Sequence, residues 1–200
     1  MLNEIGNLAF LAALFSTFCC ASDLSSVRRL PDLNSAEREE MLEKLIKTHT
    51  DGEVNLKQIL ANSASKKEVT IAAVYLAGLY RLGDTVSELA KIIFLEEHER
   101  IQKSEALWGQ FPVVEALIKI GNPSVPKMLE LIQESSDPKT RKLAATVILH
   151  IETESVGAFI LQKKMDTQTD AAQKERLGAA IQYLKEEDIR RHPVPPAGHR

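Results

Sequence analysis

Thiols, aromatic rings and charge of one sign are all scarce in this 200-residue chain. Its two cysteines, Cys19 and Cys20, stand side by side near the start. No later residue can enter a disulfide within the chain, so the bulk of the protein must be held by its core. Aromatics make up 5%, with Trp108 the single tryptophan, and there are nine glycines and eight prolines. A β-sandwich wants β-branched and aromatic alternation, so this composition points to helices instead. The formal net charge of −3 is too small to argue for a polyanionic or polycationic partner, and nucleic acid gains no support. The sequence carries no glycine-rich phosphate loop, no paired-histidine zinc helix and no serine elbow. No residue is therefore assigned to catalysis, to a cofactor or to a metal.

What is present is aliphatic. Apolar residues reach 44%, enough to bury a core as one domain or a short repeat array. The run Leu8–Phe18 has the length of a signal-peptide apolar region, and Cys19-Cys20-Ala21 offers small residues before a cut. The expectation is a signal peptide over 1–21 and export to the periplasm or the outside. An uncleaved membrane anchor and a docking helix stay open as alternatives, and the membrane enters only through this segment. Cleavage after Ala21 would leave no cysteine, which excludes thiol catalysis in the exported form.

Residues 22–33 read as a linker, and helical signals recur over 34–187. Asn34 with Glu37, Ser65 with Glu68 and Thr85 with Glu88 have capping-box spacing, and Asp170 with Gln173 opens a last helix. The first helix shows Met41, Leu42, Leu45 and Ile46, and its partner Leu56, Ile59 and Leu60. Val69, Ala72, Ala73, Leu76, Leu79 and Tyr80 make the next apolar nearly all round, which predicts burial between neighbours. Glu96–Arg100 is expected to extend the following helix outward. A third pair places Val113, Val114, Leu117 and Ile120 before Gly121-Asn122-Pro123, then Val125, Met128 and Ile132. Asp137-Pro138 begins the fourth, with Asp137 as cap and Pro138 at the first helical position. Its stripe is Leu143, Val147 and Ile151, and Val156, Phe159 and Ile160 are expected to close the pair inward. Leu177, Ile181 and Leu184 line the last helix, and a proline-containing tail over 188–200 has little to bury.

Val86, Val125 and Val156 fall at matching places, 39 and 31 residues apart, and Leu82-Gly83-Asp84 matches Ile120-Gly121-Asn122. Units of this kind expose a flank that only a neighbouring unit covers. Asp137-Pro138-x-x-Arg141-x-x-Ala144-Ala145 and the Ile120–Val125 turn resemble HEAT repeats, more closely the short HEAT-like form of phycobilisome-lyase type. The resemblance spans about Ser65 to Leu184, with 34–62 a divergent N-terminal cap. It implies an all-α fold, a right-handed α-solenoid of stacked antiparallel helix pairs. It also implies a non-enzymatic scaffold that presents its second helices to another protein. A minority of the family attach bilin chromophores, so a lyase or lyase-like chaperone is the alternative, with a membrane-anchored assembly factor as a third.

Outward positions on the second helices give the expected protein-binding residues: Glu88, Lys91, Lys127, Glu130, Gln133, Gln162 and Lys163. Their mixed sign fits a protein surface of mixed sign, because polyanion binders need a one-signed stripe. Trp108 is a further candidate anchor, although a tryptophan between repeats also serves to fill the junction. Glu96, Glu97, His98 and Glu99 have metal-ligand chemistry, but adjacent helical residues diverge, so the segment reads as a solvated face. Arg141 is expected to have a structural role, pairing with an acidic neighbour such as Asp137 or with the adjoining repeat.

Overall fold

The computed structural model describes residues 36–37, 40–44, 56–63, 65, 67–97 and 110–191. The N-terminal apolar run, Asn34, Leu45, Ile46, His98 to Arg100, Trp108 and the tail beyond Arg191 lie outside the described residues. Among the described residues all regular structure is helical and no strand occurs. The helices with defined bounds are α1 (Leu56–Ala61), α2 (Lys67–Leu79), α3 (Val86–Lys91), α4 (Pro112–Ile120), α5 (Val125–Glu134), α6 (Pro138–Ile151), α7 (Glu154–Asp166) and α8 (Ala171–Arg191). Residues 40–44 are also helical, and Leu42 there is buried in the common core. The last helix runs through Arg191, four residues past the expected boundary at 187.

Alternate helices pack on one another. α2 lies on α4, α4 on α6 and α6 on α8, while α1 lies on α3 and α3 on α5. One aliphatic cluster runs from Leu42 to Leu184 and takes in Leu76, Leu89, Leu117, Met128, Ile132, Leu143 and Ile148. Leu117 on α4, Met128 and Ile132 on α5, and Leu143 and Val147 on α6 are buried where the helical spacing placed them. Ile151 at the end of α6 is only half-buried, and Ile148 takes its place in the core.

Two junctions repeat in detail. Gly83–Thr85 and Asn122–Ser124 are both 3₁₀ turns, and Val86 and Val125 each open the helix that follows. The structural match is therefore Gly83 with Asn122, one residue on from the sequence match of Gly83 with Gly121. A Cβ at Gly83 would lie 3.2 Å from Pro123 Cβ, so the two turns stack. Gly121 takes φ 83°, a backbone conformation open to glycine and costly for other residues. Val156 does not join the pattern: it is the third residue of α7, and no 3₁₀ turn precedes it.

The caps divide. Asp137 accepts from Lys139 N at 3.2 Å and Thr140 N at 2.9 Å, with Pro138 next to it as expected. Asp170 likewise accepts from Gln173 N at 3.0 Å. Thr85 does not cap α3. Its hydroxyl turns back and donates to the Leu82 carbonyl at 2.7 Å, which the 3₁₀ turn brings into reach. The Ser65 hydroxyl donates backwards as well, to Ile59 O at 3.3 Å. In both cases the hydroxyl closes the preceding segment, and at Thr85 the next helix start is left without a side-chain cap.

Three expectations about apolar faces and helix ends fail. Leu79 and Tyr80 are exposed, because α2 ends there and the Tyr80 hydroxyl donates to Glu43 Oε1 at 2.7 Å. α3 stops at Lys91, so Glu96 and Glu97 lie outside any helix. On α7, Val156 is 43% and Phe159 59% exposed, while Gly157 and Leu161 are buried. The inward register of α7 is one residue later than the apolar pattern suggests. A Cβ on residue 157 would meet Leu184 Cδ1 at 3.1 Å and Ile148 Cγ2 at 3.3 Å, so glycine sets the approach.

Three hydrogen bonds to one carboxylate make the Asp137 cap sensitive to acid. The Thr140 hydroxyl at 2.8 Å, the Thr140 and Lys139 amides and the charge of Arg141 together hold the Asp137 carboxyl below the usual aspartate range. A depressed folded-state pKa means that the unfolded chain binds the proton more readily. The contribution is complete above the unfolded value of about 3.9 and disappears as pH falls through the folded value. Asp137→Asn keeps a capping oxygen and removes the charge. The melting-temperature gap between wild type and Asp137→Asn should be largest at neutral pH and close below about pH 4. A gap that is constant with pH would show that the charge contributes nothing.

Candidate functional site

The residues expected to bind a partner do not form one uniform row. Glu88 and Lys91 lie on α3, and Lys127, Glu130 and Gln133 lie on the adjoining α5. Lys91 is exposed, and Lys127 Nζ pairs with Glu130 Oε1 at 2.7 Å. Glu88 is only half-open, and its Oε2 is buried without a hydrogen-bond partner. Gln133 is a correction. It is buried, and its Oε1 accepts from Gln168 Nε2 at 3.3 Å, because α8 covers that side of α5. Gln162 and Lys163 sit apart on α7, where Gln162 donates to Asp166 and Lys163 lies over the Phe159 ring. Among the described residues Lys91, Lys127 and Glu130 thus lie on the neighbouring helices α3 and α5.

Glu97 N donates to Gln110 O at 3.1 Å, a clasp between these two residues. Beside the clasp, Phe94 meets Phe111 edge to face with ring centres 6.4 Å apart. Lys139 Nζ stands 4.8 Å from the Phe111 ring centre and pairs with Glu96 Oε1 at 3.4 Å. Glu97 accepts from the Tyr75 hydroxyl. Glu96 and Glu97 are thus engaged by Lys139 and Tyr75. Among the described residues no cluster of three His, Cys, Asp or Glu side chains is placed to hold a metal ion.

A feature the sequence did not indicate lies between α6 and α8. Arg141 Nη1 donates to Ser135 O at 3.0 Å and Ser136 O at 2.9 Å. Arg176 Nη1 donates to Gln133 O at 2.6 Å and Glu134 O at 3.4 Å. Both guanidinium groups therefore meet the C-terminal end of α5, where unpaired carbonyls and the helix dipole favour a cation. Arg141 is not paired with Asp137 as expected, because the Asp137 oxygens are taken by the α6 amides and the Thr140 hydroxyl.

Further along the same two helices, Thr146 Oγ1 donates to Lys142 O and lies 2.9 Å from the Tyr183 oxygen. The threonine has one proton and gives it to the carbonyl, so the phenol is the donor of the second bond. Two arginines at one end and this bond at the other show that α6 and α8 run in the same direction. Between them is a cleft of about 130 Å³ lined by Pro138, Arg141, Lys142, Ala145, Arg176, Ala179, Ala180 and Tyr183. No ion pair with a carboxylate engages Arg141, Lys142 or Arg176 among the described residues.

No family model, curated protein or solved structure matches this chain. Among the described residues no helix is long and apolar enough to cross a membrane.

Proposed function

We propose that this chain is a non-enzymatic interaction scaffold, a right-handed solenoid of HEAT-like helix pairs that is exported and binds another protein. The stacking of Gly83–Thr85 on Asn122–Ser124 carries the proposal, since the same junction recurs and brings α3 beside α5. A repeated junction of this kind lines up equivalent helices and creates an extended face. On that face Lys91, Lys127 and Glu130 offer both signs of charge, which suits a protein surface of mixed charge.

The test is retention of a partner from the native envelope fraction by the tagged wild-type chain. Lys91→Glu, Lys127→Glu and Glu130→Lys combined should abolish that retention. Lys127 and Glu130 still pair after their exchange, so the helix is preserved while the pattern seen by a partner is inverted. A partner retained equally by the triple variant would remove this face from the proposal. If the native protein keeps Met1 in the cytosolic fraction, the export part fails.

A further inference from the structure

We propose that the cleft between α6 and α8 binds a small organic oxyanion, a carboxylate or phosphate monoester carried on a short apolar body. The site is separate from the α3–α5 face, and it stands whether or not that face binds a protein. Its charge is the first reason. Arg141, Lys142 and Arg176 gather on a chain whose formal net charge is −3. None of the three has an ion-pair partner among the described residues.

The arginines are also held in place. Each is anchored through Nη1 alone to carbonyls at the end of α5. A guanidinium has five N–H donors in a rigid fork, so anchoring one nitrogen orients the rest and leaves donors for an oxyanion. Preorganised in this way, the two forks lose little freedom when an anion arrives. Lys142, with its ammonium 6.0 Å from the Tyr183 ring centre, adds a third charge.

Shape and lining supply the rest. Ala145, Ala179 and Ala180 leave the space open, and Tyr183 walls it with a ring fixed by its bond to Thr146. The cleft measures about 130 Å³, and an engineered cavity of about 150 Å³ accepts benzene. One small ring or a branched chain of similar size fits between the helices, with its charged end towards the arginines.

Calorimetric titration of the full chain with benzoate, phenyl phosphate and inorganic phosphate tests the proposal. At least one aromatic acid should bind saturably with one site per chain, and more tightly than inorganic phosphate. Preference for phenyl phosphate assigns a phosphate monoester, and preference for benzoate assigns a carboxylate. Lys142→Glu should weaken binding by about 10-fold or more, the effect of losing one charge-assisted contact. Ala179→Leu, which fills the open mouth, should abolish it. Both positions are exposed, so the helical circular dichroism should match wild type. Lack of saturable binding by either aromatic acid overturns the proposal. So does equal affinity in wild type and both variants, and binding of inorganic phosphate as tight as that of phenyl phosphate overturns the apolar body.

Discussion

Leu117→Ala should lower the unfolding free energy by about 2–5 kcal/mol, the range for an emptied aliphatic core site. Leu117 is fully buried on α4, the helix placed between α2 and α6. Truncation removes contacts on both sides, and the neighbours have little room to close in. α2 approaches α4 through Gly78, whose added Cβ would stand only 2.8 Å from the Ala116 Cα. The main chain at Leu117 is constrained as well, because its carbonyl accepts from the Ser124 hydroxyl at 2.9 Å and Gly121 N at 3.1 Å. With both the side-chain volume and the backbone fixed, the upper half of the range is expected. A whole domain is stable by only about 5–15 kcal/mol, so this single change removes a large share. Urea unfolding monitored by circular dichroism measures it. A loss below about 0.5 kcal/mol, typical of a surface position, would contradict the central placement of α4.

Local rules were legible in the sequence where local chemistry decides the outcome. Asp137-Pro138 is such a place, because cap, proline and orphan amides all lie within one turn. Val125, Met128 and Ile132 were legible for a similar reason: one strongly apolar face on α5 leaves a single register. α7 shows the limit. Its apolar residues fit two adjacent registers, and the choice was made by the tight approach of Ile148 and Leu184 to Gly157. That constraint comes from α6 and α8 and leaves no mark on the α7 pattern. Thr85 carried the right side chain for a cap, but a 3₁₀ turn placed its hydroxyl against Leu82 O instead.

The α6–α8 cleft was invisible for a further reason. Arg141 and Arg176 stand at different offsets from the helix starts they follow, so no repeat links them. They are brought together by a common acceptor, the C-terminal end of α5, which Arg176 reaches from more than 40 residues away. A signal existed in the need of α5 for C-terminal cations, since its last turn contains no basic residue. It indicates that some cation must come from elsewhere, and only the fold says which.

Gly78→Ala and Gly178→Ala should shift stability in opposite directions, although the chemical change is identical. In an unhindered helix, alanine is better than glycine by about 0.8–1.0 kcal/mol. At Gly178 on α8 the new methyl would meet only Met165 Sδ, at 3.9 Å, an ordinary contact with a flexible side chain. The full propensity gain is available there, and Gly178→Ala should stabilise by about 0.5–1 kcal/mol. At Gly78 the methyl would sit 2.8 Å from Ala116 Cα and 3.1 Å from its Cβ. Backbone cannot rotate aside, so α2 and α4 must separate, and overpacking of this kind costs about 1–3 kcal/mol. The separation also loosens the contacts that bury Leu76, Ala77 and Leu117, which adds to the penalty and outweighs the gain. Gly78→Val, bulkier and β-branched, should be worse than Gly78→Ala by a further 1 kcal/mol or about that. Denaturant midpoints of the three variants against wild type decide the matter. If Gly78→Ala stabilises the protein as Gly178→Ala does, the close crossing of α2 and α4 is wrong.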